Sequence, residues 1–391
     1  MPKKKISIIG RGTAGCISYL SLRKEDRRDL SIDWYFNSKK PTSSVGEGTT
    51  NSFPFLLSDM KGLSLTSDYG KIDARPKLGI EYEGWGKNDF IHPFSGGFHG
   101  LHFDAVKFQD EVFNAAKNDS LVNFFDKEVS HDGIDADYIV DCSGRPEISE
   151  DFIKPKYIPV NSVHVTQCAW KSEPKWDNTK TIARRYGWVF VIPLRSRCSV
   201  GYLYNKDITS LQDVIDDVEE VINDLGVFPT EKTNSFNFEN YIRKEIIQDR
   251  VSYAGNSGFF LEPMEATTLD AVMRVAEWSN YAMRSSNVRA VCDDGNNAMR
   301  NFFTEVEYFI MMHYAAGSKW KNDFWDFAQE RGKLALEAAL KDSRLKGFYR
   351  SPNNLTFMGS GNFFFEPISY AINLQNLGLS FDPERREVEA A

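Results

Sequence analysis

Residues Lys5–Gly15 decide the fold, and they read Lys-Ile-Ser-Ile-Ile-Gly-Arg-Gly-Thr-Ala-Gly. The β-branched apolar run at the start predicts a short strand, and the residues after the turn can continue as a helix to Arg23. Three glycines in this spacing let a backbone approach a pyrophosphate at the N-terminus of a helix. We therefore predict a dinucleotide site, with a glycine-rich turn that holds no ligand as the alternative. The residues assigned to the site are Gly10, Gly12, Thr13, Ala14 and Gly15.

Later segments indicate which dinucleotide the turn binds. Asp137–Gly144 resembles the strand and turn that FAD-binding proteins place near the adenosine half of the cofactor. Ser252–Gly258, which contains Gly255, resembles the late glycine segment that approaches the ribityl chain and the flavin ring. Leu30–Phe36 predicts the second parallel strand, and the acid that usually follows it is replaced by Asn37, which can still bond a ribose hydroxyl. We therefore expect FAD, and the absence of a second such glycine turn argues against a built-in NAD(P)H site.

Beyond these segments the sequence changes in character. Between Tyr157 and Tyr204, segments rich in β-branched and aromatic residues are separated by polar turns and predict an antiparallel sheet. After residue 270, apolar residues recur at helical spacing. We therefore expect an α/β flavoprotein. Its Rossmann-like FAD-binding domain would be formed by 1–156 and 245–290, its antiparallel substrate sheet by 157–244, and its helical C-terminal region by 291–391.

Composition argues against several classes of partner. The chain has 391 residues and a formal net charge of −8, which disfavours nucleic acid and anionic membranes. Its 5 cysteines are scattered without paired spacing, so we expect free thiols in a reducing cytoplasm. No apolar run is long enough to predict a membrane span. His92, His99 and His102 have no carboxylate at ligand spacing, so no metal site is expected, and homo-oligomerisation is left open.

Several segments resemble, in order, the flavin-dependent halogenases that act on tryptophan and related aromatics. Gly187–Pro193 is similar to their Gly-Trp-x-Trp-x-Ile-Pro signature, with Trp188 at the first tryptophan and Phe190 in place of the second. The other matches are the opening glycine turn, the strap loop Gly46, Glu47, Gly48 and Thr49 that links flavin and substrate sites, Lys77 before an apolar strand, His102–Ala105, and Phe260–Thr268. The chain resembles a compact member of the family, of the kind that phages also encode.

The resemblance implies a chemistry for two residues. Reduced FAD, O2 and halide yield hypohalous acid, which a lysine in an apolar channel holds by a hydrogen bond or as a haloamine. A carboxylate opposite it polarises the halogen donor, stabilises the cationic arene and accepts the ring proton. Lys77 and Glu265 are the candidates, with Glu262 as a rival to Glu265. Residue type alone favours a surface lysine and a helix-capping carboxylate, and the matched context reverses that preference.

The same resemblance assigns the halide and substrate sides. Backbone amides around Thr267 and Thr268, at the start of a helix, would bind the halide. We expect bromide and iodide ahead of chloride, because they are easier to oxidise. Trp188 and Phe190 would wall the flavin tunnel, although ordinary core packing is an alternative for both. His102 and Phe103 would lie near the substrate.

The chain is shorter than the tryptophan halogenases and shows no counterpart of the C-terminal segment that closes over free tryptophan there. We therefore expect a more open site and another electron-rich aromatic substrate, such as a phenol, an indole, a pyrrole or something larger. A separate flavin reductase would supply reduced FAD. The alternatives are a flavin-dependent aromatic monooxygenase (a hydroxylase) and a non-catalytic flavin-binding protein.

Overall fold

The computed structural model describes residues 4–24, 29–40, 46–58, 69–172, 174, 176–351 and 363–381. In chain order the strands are β1 Lys4–Ile9, β2 Leu30–Phe36, β3 Gly46–Gly48, β4 Arg75–Lys77, β5 Gly79–Glu83, β6 Phe90–Pro93, β7 Gly100–Asp104, β8 Val122–Asp126, β9 Tyr138–Asp141, β10 Phe152–Ile153, β11 Ser162–Trp170, β12 Thr179–Arg184, β13 Gly187–Pro193, β14 Arg197–Tyr204, β15 Val227–Asn237, β16 Tyr241–Arg243, β17 Val251–Tyr253 and β18 Phe259–Phe260. The helices are α1 Thr13–Arg23, α2 Phe53–Ser58, α3 Ala105–Ala116, α4 Leu211–Leu225, α5 Thr268–Arg284, α6 Val288–Ala316, α7 Asp323–Ala339, α8 Lys346–Arg350 and α9 Pro367–Leu377.

A parallel sheet with the order β17-β9-β1-β2-β8 contains the glycine turn at the end of its middle strand. Ile6 and Ile8 of β1 are fully buried, and helices α1 and α5 pack together against this part of the fold. Strand β2 has the predicted bounds, and α1 begins at Thr13, within the glycine turn, and ends at the predicted Arg23. The mixed α/β architecture with a parallel sheet is thereby confirmed.

A second sheet has the order β15-β11-β14-β13-β12-β5-β6 and is antiparallel except where β12 pairs with β5. Strands β11 to β15 come from 157–244, where an antiparallel sheet is predicted. Strands β5 and β6 come from much earlier in the chain, and Ile80 of β5 pairs with Thr179 of β12. The sheet is therefore wider than the predicted substrate unit, because a pairing between distant segments extends it.

A small antiparallel sheet of order β3-β7-β4 contacts the seven-stranded sheet where β3 meets β13. In this small sheet Gly48 pairs with His102, and Lys77 pairs with Gly100. Strand β7 therefore carries the strap segment on one edge and the strand of Lys77 on the other.

The described C-terminal part is helical, and residues 352–362 and 382–391 of the predicted helical region lie outside the described part. Helix α6 packs against α5, α7 and α9. Its inward face is largely aromatic and aliphatic, and the buried residues include Phe302, Phe303, Val306, Phe309 and Ile310. No helix in the described ranges has the length and apolar character needed to cross a membrane.

Candidate active site

The three glycines of the first turn have three different surroundings. Gly10 has a φ of 107°, and a Cβ added there would stand 2.2 Å from the carbonyl oxygen of Cys142. A Cβ at Gly15 would stand 2.2 Å from the carbonyl oxygen of Gly10, whereas a Cβ at Gly12 would meet no protein atom within 4 Å. Gly12, the N-cap of α1, therefore leaves an open face at the start of this helix and has no side chain to bond the first amides. This open face fits a pyrophosphate.

The late glycine segment packs against the same turn. Gly255 has a φ of 65°, and a Cβ there would stand 2.5 Å from the Cβ of Ala14. The neighbouring Thr13 hydroxyl accepts a hydrogen bond from Gln109 Nε2 at 3.0 Å. The glycine turn and the late glycine segment Ser252–Gly258 thus meet at the N-terminus of α1.

Asn37 lies directly after β2, with both ends of its amide engaged. Its Nδ2 donates to Glu128 Oε1 at 2.9 Å, and its Oδ1 accepts from the Lys39 amide at 2.8 Å. Glu128 comes from the segment that follows β8, the neighbour of β2 in the sheet. The structure therefore brings an acid beside Asn37 that the sequence does not have at the end of β2.

The strap segment is fixed to β7. Residues Gly46–Gly48 form β3, and the following Thr49 is fully buried. The Thr49 amide donates to the Leu101 carbonyl at 2.9 Å, and the Thr49 hydroxyl accepts from the Leu101 amide at 2.8 Å. Burial raises the pKa of Glu47 to about 7.

The strap passes close to the amine of Lys77. A Cβ added at Gly48 would stand 3.7 Å from Lys77 Nζ, 3.7 Å from the ring of His102 and 3.6 Å from the hydroxyl of Thr179. His102 Nε2 and Thr179 Oγ1 are hydrogen-bonded at 2.8 Å. These residues come from four different strands, so the pairing of the small sheet with its neighbours assembles this side of the site.

Lys77 is 0% exposed, and its Nζ has no hydrogen-bond partner among the described residues. The amine lies 5.5 Å from the centre of the Phe94 ring. Burial lowers the pKa of Lys77 to about 8, and the nearby carboxylates of Glu265 and Asp270 offset part of that effect. This is not the surface lysine that residue type alone favoured.

Glu265 is 4% exposed and is the acidic partner on this side of the site. The Tyr82 hydroxyl donates a hydrogen bond to Glu265 Oε1, and His313 Nε2 lies 4.0 Å from the same oxygen. Burial raises the pKa of Glu265 to about 7, while the Tyr82 hydrogen bond and the Lys77 ammonium lower it in part. The next residue, Ala266, has a φ of 53°, a strained conformation that its surroundings must hold in place.

Glu262 has a different set of neighbours. Its Oε2 accepts from Trp188 Nε1 at 3.1 Å and from the Tyr314 hydroxyl at 2.8 Å. Burial raises the pKa of Glu262 to about 8, and its Oε1 has no partner within the described ranges. The two glutamates are thus distinguished by position, because Glu265 interacts with Lys77 while Glu262 is bonded to Trp188.

Trp188 and Phe190 lie on the same face of β13, with ring centres 6.3 Å apart and planes inclined by 60°. The Phe190 ring covers Gly201 of β14, where an added Cβ would stand 2.1 Å from Phe190 Cζ. Only glycine at position 201 leaves room for this ring. Both side chains are buried, and their role as the wall of a tunnel stays a prediction.

His102 and Phe103, which were both expected near the substrate, point to opposite faces of β7. Successive side chains of a strand alternate between its faces. Phe103 is fully buried and stacks on Phe53 with ring centres 5.2 Å apart, and it also packs against Phe108. Phe103 is therefore a core residue, and only His102 faces Lys77.

The three histidines that are close in sequence have separate partners. His92 Nε2 bonds the Ser369 hydroxyl at 3.0 Å, and His99 Nε2 bonds the Tyr69 hydroxyl at 3.2 Å. Across the residues that the structure describes, no three His, Cys, Asp or Glu side chains come together as metal ligands.

Thr267 and Thr268 lie where α5 begins, with Thr267 as the N-cap and without a side-chain capping bond. Asp270 in the first turn accepts hydrogen bonds from Thr50 Oγ1 at 2.7 Å and Ser52 Oγ at 2.6 Å, which joins the segment after the strap to α5. A carboxylate at this end opposes the binding of an anion. Burial raises the pKa of Asp270, which weakens that opposition.

A cavity of about 640 Å³ is lined by Arg75 and Pro76, the two residues before Lys77, and by residues of two other segments. The latter include Trp170, Asp177 and Arg195. Its volume is in the range of small-molecule sites, roughly 300–1,000 Å³.

Sequence reasoning missed Tyr82 and His313 as partners of Glu265. Tyr82 reads as one more apolar residue of the strand after Lys77, and the helical spacing of His313 predicts only a core position. Their contacts with Glu265 join residues of β5 and α6 to the turn before α5. No pattern of neighbouring residues in the sequence predicts contacts between such distant segments.

Comparison with known proteins gives concordant results. The profile of the family described as tryptophan halogenase matches residues 5–131 and 117–382. A 7-chloro-L-tryptophan 6-halogenase of Kutzneria sp. (strain 744) is 24% identical over 212 residues, which cover 50% of this chain and 39% of that protein. The matched part amounts to only 38–40% of the curated relatives' length.

Solved structures share the fold over nearly the whole chain. A tryptophan halogenase from Shewanella frigidimarina NCIMB 400 has a TM-score of 0.83 at 18% identity, covering 99% of this chain and 92% of that one. A flavin-dependent halogenase from Brevundimonas sp. BAL3 has a TM-score of 0.80 at 20% identity, covering 97% and 91%.

Proposed function

The chain belongs to the tryptophan halogenase family, and on that premise we propose that it transfers a halogen to an electron-rich aromatic substrate. The reaction would consume reduced FAD, O2 and a halide, with a separate flavin reductase supplying the reduced cofactor. A cytoplasmic location and the lack of a nucleic-acid partner remain predictions from composition.

The observation that carries the proposal is the amine of Lys77. A buried lysine without a hydrogen-bond partner is costly, and such groups cluster where a reaction needs them. It lies within reach of the strap on one side and interacts with the Glu265 carboxylate on the other. A buried donor and a buried acceptor are therefore close enough to affect each other's charge.

The residues around the glycine turn fit FAD. Gly12 offers the open backbone for the pyrophosphate, and Gly255 brings the late glycine segment to the same place. Asn37 and Glu128 would bind the adenosine ribose. When bound in its reduced form, FAD would supply the electrons with which O2 converts halide to hypohalous acid.

Lys77 would hold the hypohalous acid and aim it. In its ammonium form, Lys77 donates a hydrogen bond, and in its neutral form it can take the halogen as a haloamine. With a pKa of about 8, both forms are populated at mildly alkaline pH. The aromatic surroundings keep bulk water away and so favour transfer of the halogen to the arene.

Glu265 would complete the substitution. Its carboxylate stabilises the positive charge on the arene after the halogen has bonded to a ring carbon. It then takes the ring proton, and the electron pair of the broken C–H bond restores the aromatic ring. The position of Glu265 relative to Lys77 supports it over Glu262, which is bonded to Trp188.

The remaining assignments follow the resemblance. Trp188 and Phe190 would separate flavin from substrate, His102 would face the substrate, and amides around Thr267 and Thr268 would bind halide. We propose bromide or iodide ahead of chloride, because the larger halides are easier to oxidise. A substrate other than free tryptophan remains a proposal from the sequence, which shows no counterpart of the C-terminal segment that closes over that amino acid.

Family membership does not favour the aromatic hydroxylase, which would have no use for the Lys77 amine. The family consists of enzymes, so the non-catalytic alternative also loses support.

The deciding experiment is a mass-spectrometric assay on a panel of phenols, indoles and pyrroles. Purified protein receives FAD, a flavin reductase with NADH, O2, and chloride, bromide or iodide in turn, with catalase present to remove free peroxide. We expect halide-dependent products with the wild type and none with Lys77→Met. Products that gain one oxygen whatever the halide would establish the hydroxylase instead.

Lys180→Met is the matched control. Lys180 lies on β12 beside the site, but its amine is paired with Glu81 at 3.0 Å and with Glu83. Loss of halogenation in both lysine variants would point to a general electrostatic or structural effect and would remove the special role of Lys77.

A further inference from the structure

We propose that Tyr82 is a positioning residue for Glu265: it binds one carboxylate oxygen and leaves the other free for the substrate. The proposal rests on the proposed function, since that function makes Glu265 the acceptor of the ring proton.

The direction of the Tyr82 hydroxyl is fixed by stacking. Its ring lies between Phe90, at 4.8 Å and 18°, and His313, at 4.5 Å and 20°. Phe90 is also its pairing partner across β5 and β6. The His313 ring is held in turn by a contact of 3.0 Å between its Nε2 and Asn373 Oδ1. A ring confined on both faces can aim its hydroxyl in one direction only.

That direction is Glu265 Oε1. The Tyr82 hydroxyl donates to this oxygen, and His313 Nε2 stands 4.0 Å from it. Within the described ranges no group donates a hydrogen bond to Oε2. One oxygen of the carboxylate is therefore held by the fold, and the other is available to the arene and its proton.

Tyr82 also bears on the charge of Glu265. Lys77 on β4 and His313 on α6 lie near Glu265, while His92 on β6 and Asp270 on α5 interact with Lys77. Burial lowers the pKa of both histidines to about 4, so they are neutral near pH 7. The remaining groups that favour the ionised carboxylate are the Lys77 ammonium and the Tyr82 hydroxyl. Without the hydroxyl, Glu265 would stay protonated at neutral pH and could not accept the ring proton.

The first test needs neither flavin nor substrate. Infrared spectra of the apoprotein are recorded as a function of pH, and the protonated-carboxyl band of Glu265 is identified as the band that Glu265→Gln removes. In Tyr82→Phe, which keeps the stacked ring, we expect the midpoint of this band to move up by about one to two pH units. An unchanged midpoint would overturn the proposal.

Tyr202→Phe is the matched control, because the buried Tyr202 hydroxyl also donates to a buried carboxylate, Asp217, at 2.6 Å. It lies between β14 and α4, away from Lys77. The Glu265 band should titrate normally in this variant. A shift in Tyr202→Phe of the same size would mean that loss of any buried tyrosine hydroxyl produces the effect.

The second test measures bromination of indole as a probe, with reduced FAD supplied as above. Tyr82→Phe should lower kcat by about 10- to 100-fold, leave the KM for indole unchanged and move the acid limb of the pH profile upward. A shifted infrared band with an unchanged kcat would refute the positioning role. If wild-type protein brominates neither indole nor any other arene, the proposed function fails, while the infrared result still decides whether Tyr82 controls Glu265.

Discussion

Replacing Lys77 by methionine is expected to stabilise the protein while it abolishes halogenation. Methionine has nearly the length of lysine and no charge, so it can fill the same space. Lys77 is fully buried, and burial lowers its pKa from 10.5 to about 8. That difference corresponds to a folding cost of about 3 kcal/mol at pH 7, at about 1.36 kcal/mol per pKa unit.

The lowered pKa of Lys77 also determines how the stability of the protein changes with pH. Below pH 8 the amine is charged in both the folded and the unfolded chain, so the whole cost of burying the charge is present. Between pH 8 and 10.5 the folded protein releases its proton while the unfolded chain retains it, so wild-type stability rises with pH. The advantage of Lys77→Met should therefore be largest near pH 7 and should disappear above pH 10.5. Glu265 loses a neighbouring cation in this variant, which reduces the gain slightly.

Urea unfolding of the apoprotein, followed by circular dichroism at several values between pH 7 and pH 10, measures this difference. Lys180→Met should behave in the opposite way, because the Glu81 and Glu83 carboxylates raise the pKa of Lys180 and its removal costs stability at pH 7. If Lys77→Met is no more stable than wild type at pH 7, or if its advantage does not change up to pH 10, Lys77 is not an uncompensated buried charge and the argument for its role fails.

Three further predictions separate binding, catalysis and folding. Gly12→Val should leave the unfolding midpoint unchanged but weaken FAD binding at least tenfold in a fluorescence titration. Gly15→Val, in contrast, should fail to fold, because its Cβ would clash with the backbone. An FAD affinity equal to that of the wild type in Gly12→Val would contradict the pyrophosphate site. Glu265→Gln should lower the halogenation rate by about 100-fold or more, and Glu262→Gln by much less, as measured by initial rates; the reverse order would exchange their roles. The rate of halogenation should rise as pH increases through about 7, where Glu265 ionises. It should then fall above about 8 if Lys77 acts as an ammonium donor, or continue to rise if it acts as a neutral amine; a rate that is flat from pH 6 to 9 would exclude both.

The local features of the fold could be predicted from sequence, and the long-range ones could not. The turn at Gly10–Gly15 and its flanking strand and helix are formed by adjacent residues, so hydrophobic periodicity and glycine spacing are sufficient to predict them. The pairing of β5 with β12 has no local signature, which is why the predicted substrate sheet lacks two strands. His102 and Phe103 were assigned to one site from a continuous segment, but the alternation of side chains along β7 puts them on opposite faces.

The candidate site shows the same division. Lys77 and Glu265 were found through segments matched to a family, and each such segment is continuous in sequence. Tyr82 lies within the segment matched for Lys77, but nothing in that segment indicates its bond to Glu265, which is 183 positions away. A partner that acts through one hydroxyl leaves no pattern around itself, so only the folded chain reveals it.

The burial that makes this site costly is also what adapts it to neutral pH. Trp85 lies edge-on to His313, Tyr314 and Trp325, and this aromatic cluster adjoins the Tyr82–Glu265 pair. Removal from water disfavours the charged form of both an amine and an acid. It therefore moves the pKa of Lys77 down and that of Glu265 up, from 10.5 and 4.5 to about 8 and about 7. Groups with such values can be charged or neutral within the same narrow pH range, which a site that first donates to hypohalous acid and then accepts a ring proton requires. A solvated pair would be locked as ammonium and carboxylate, and its amine would never be free to take the halogen.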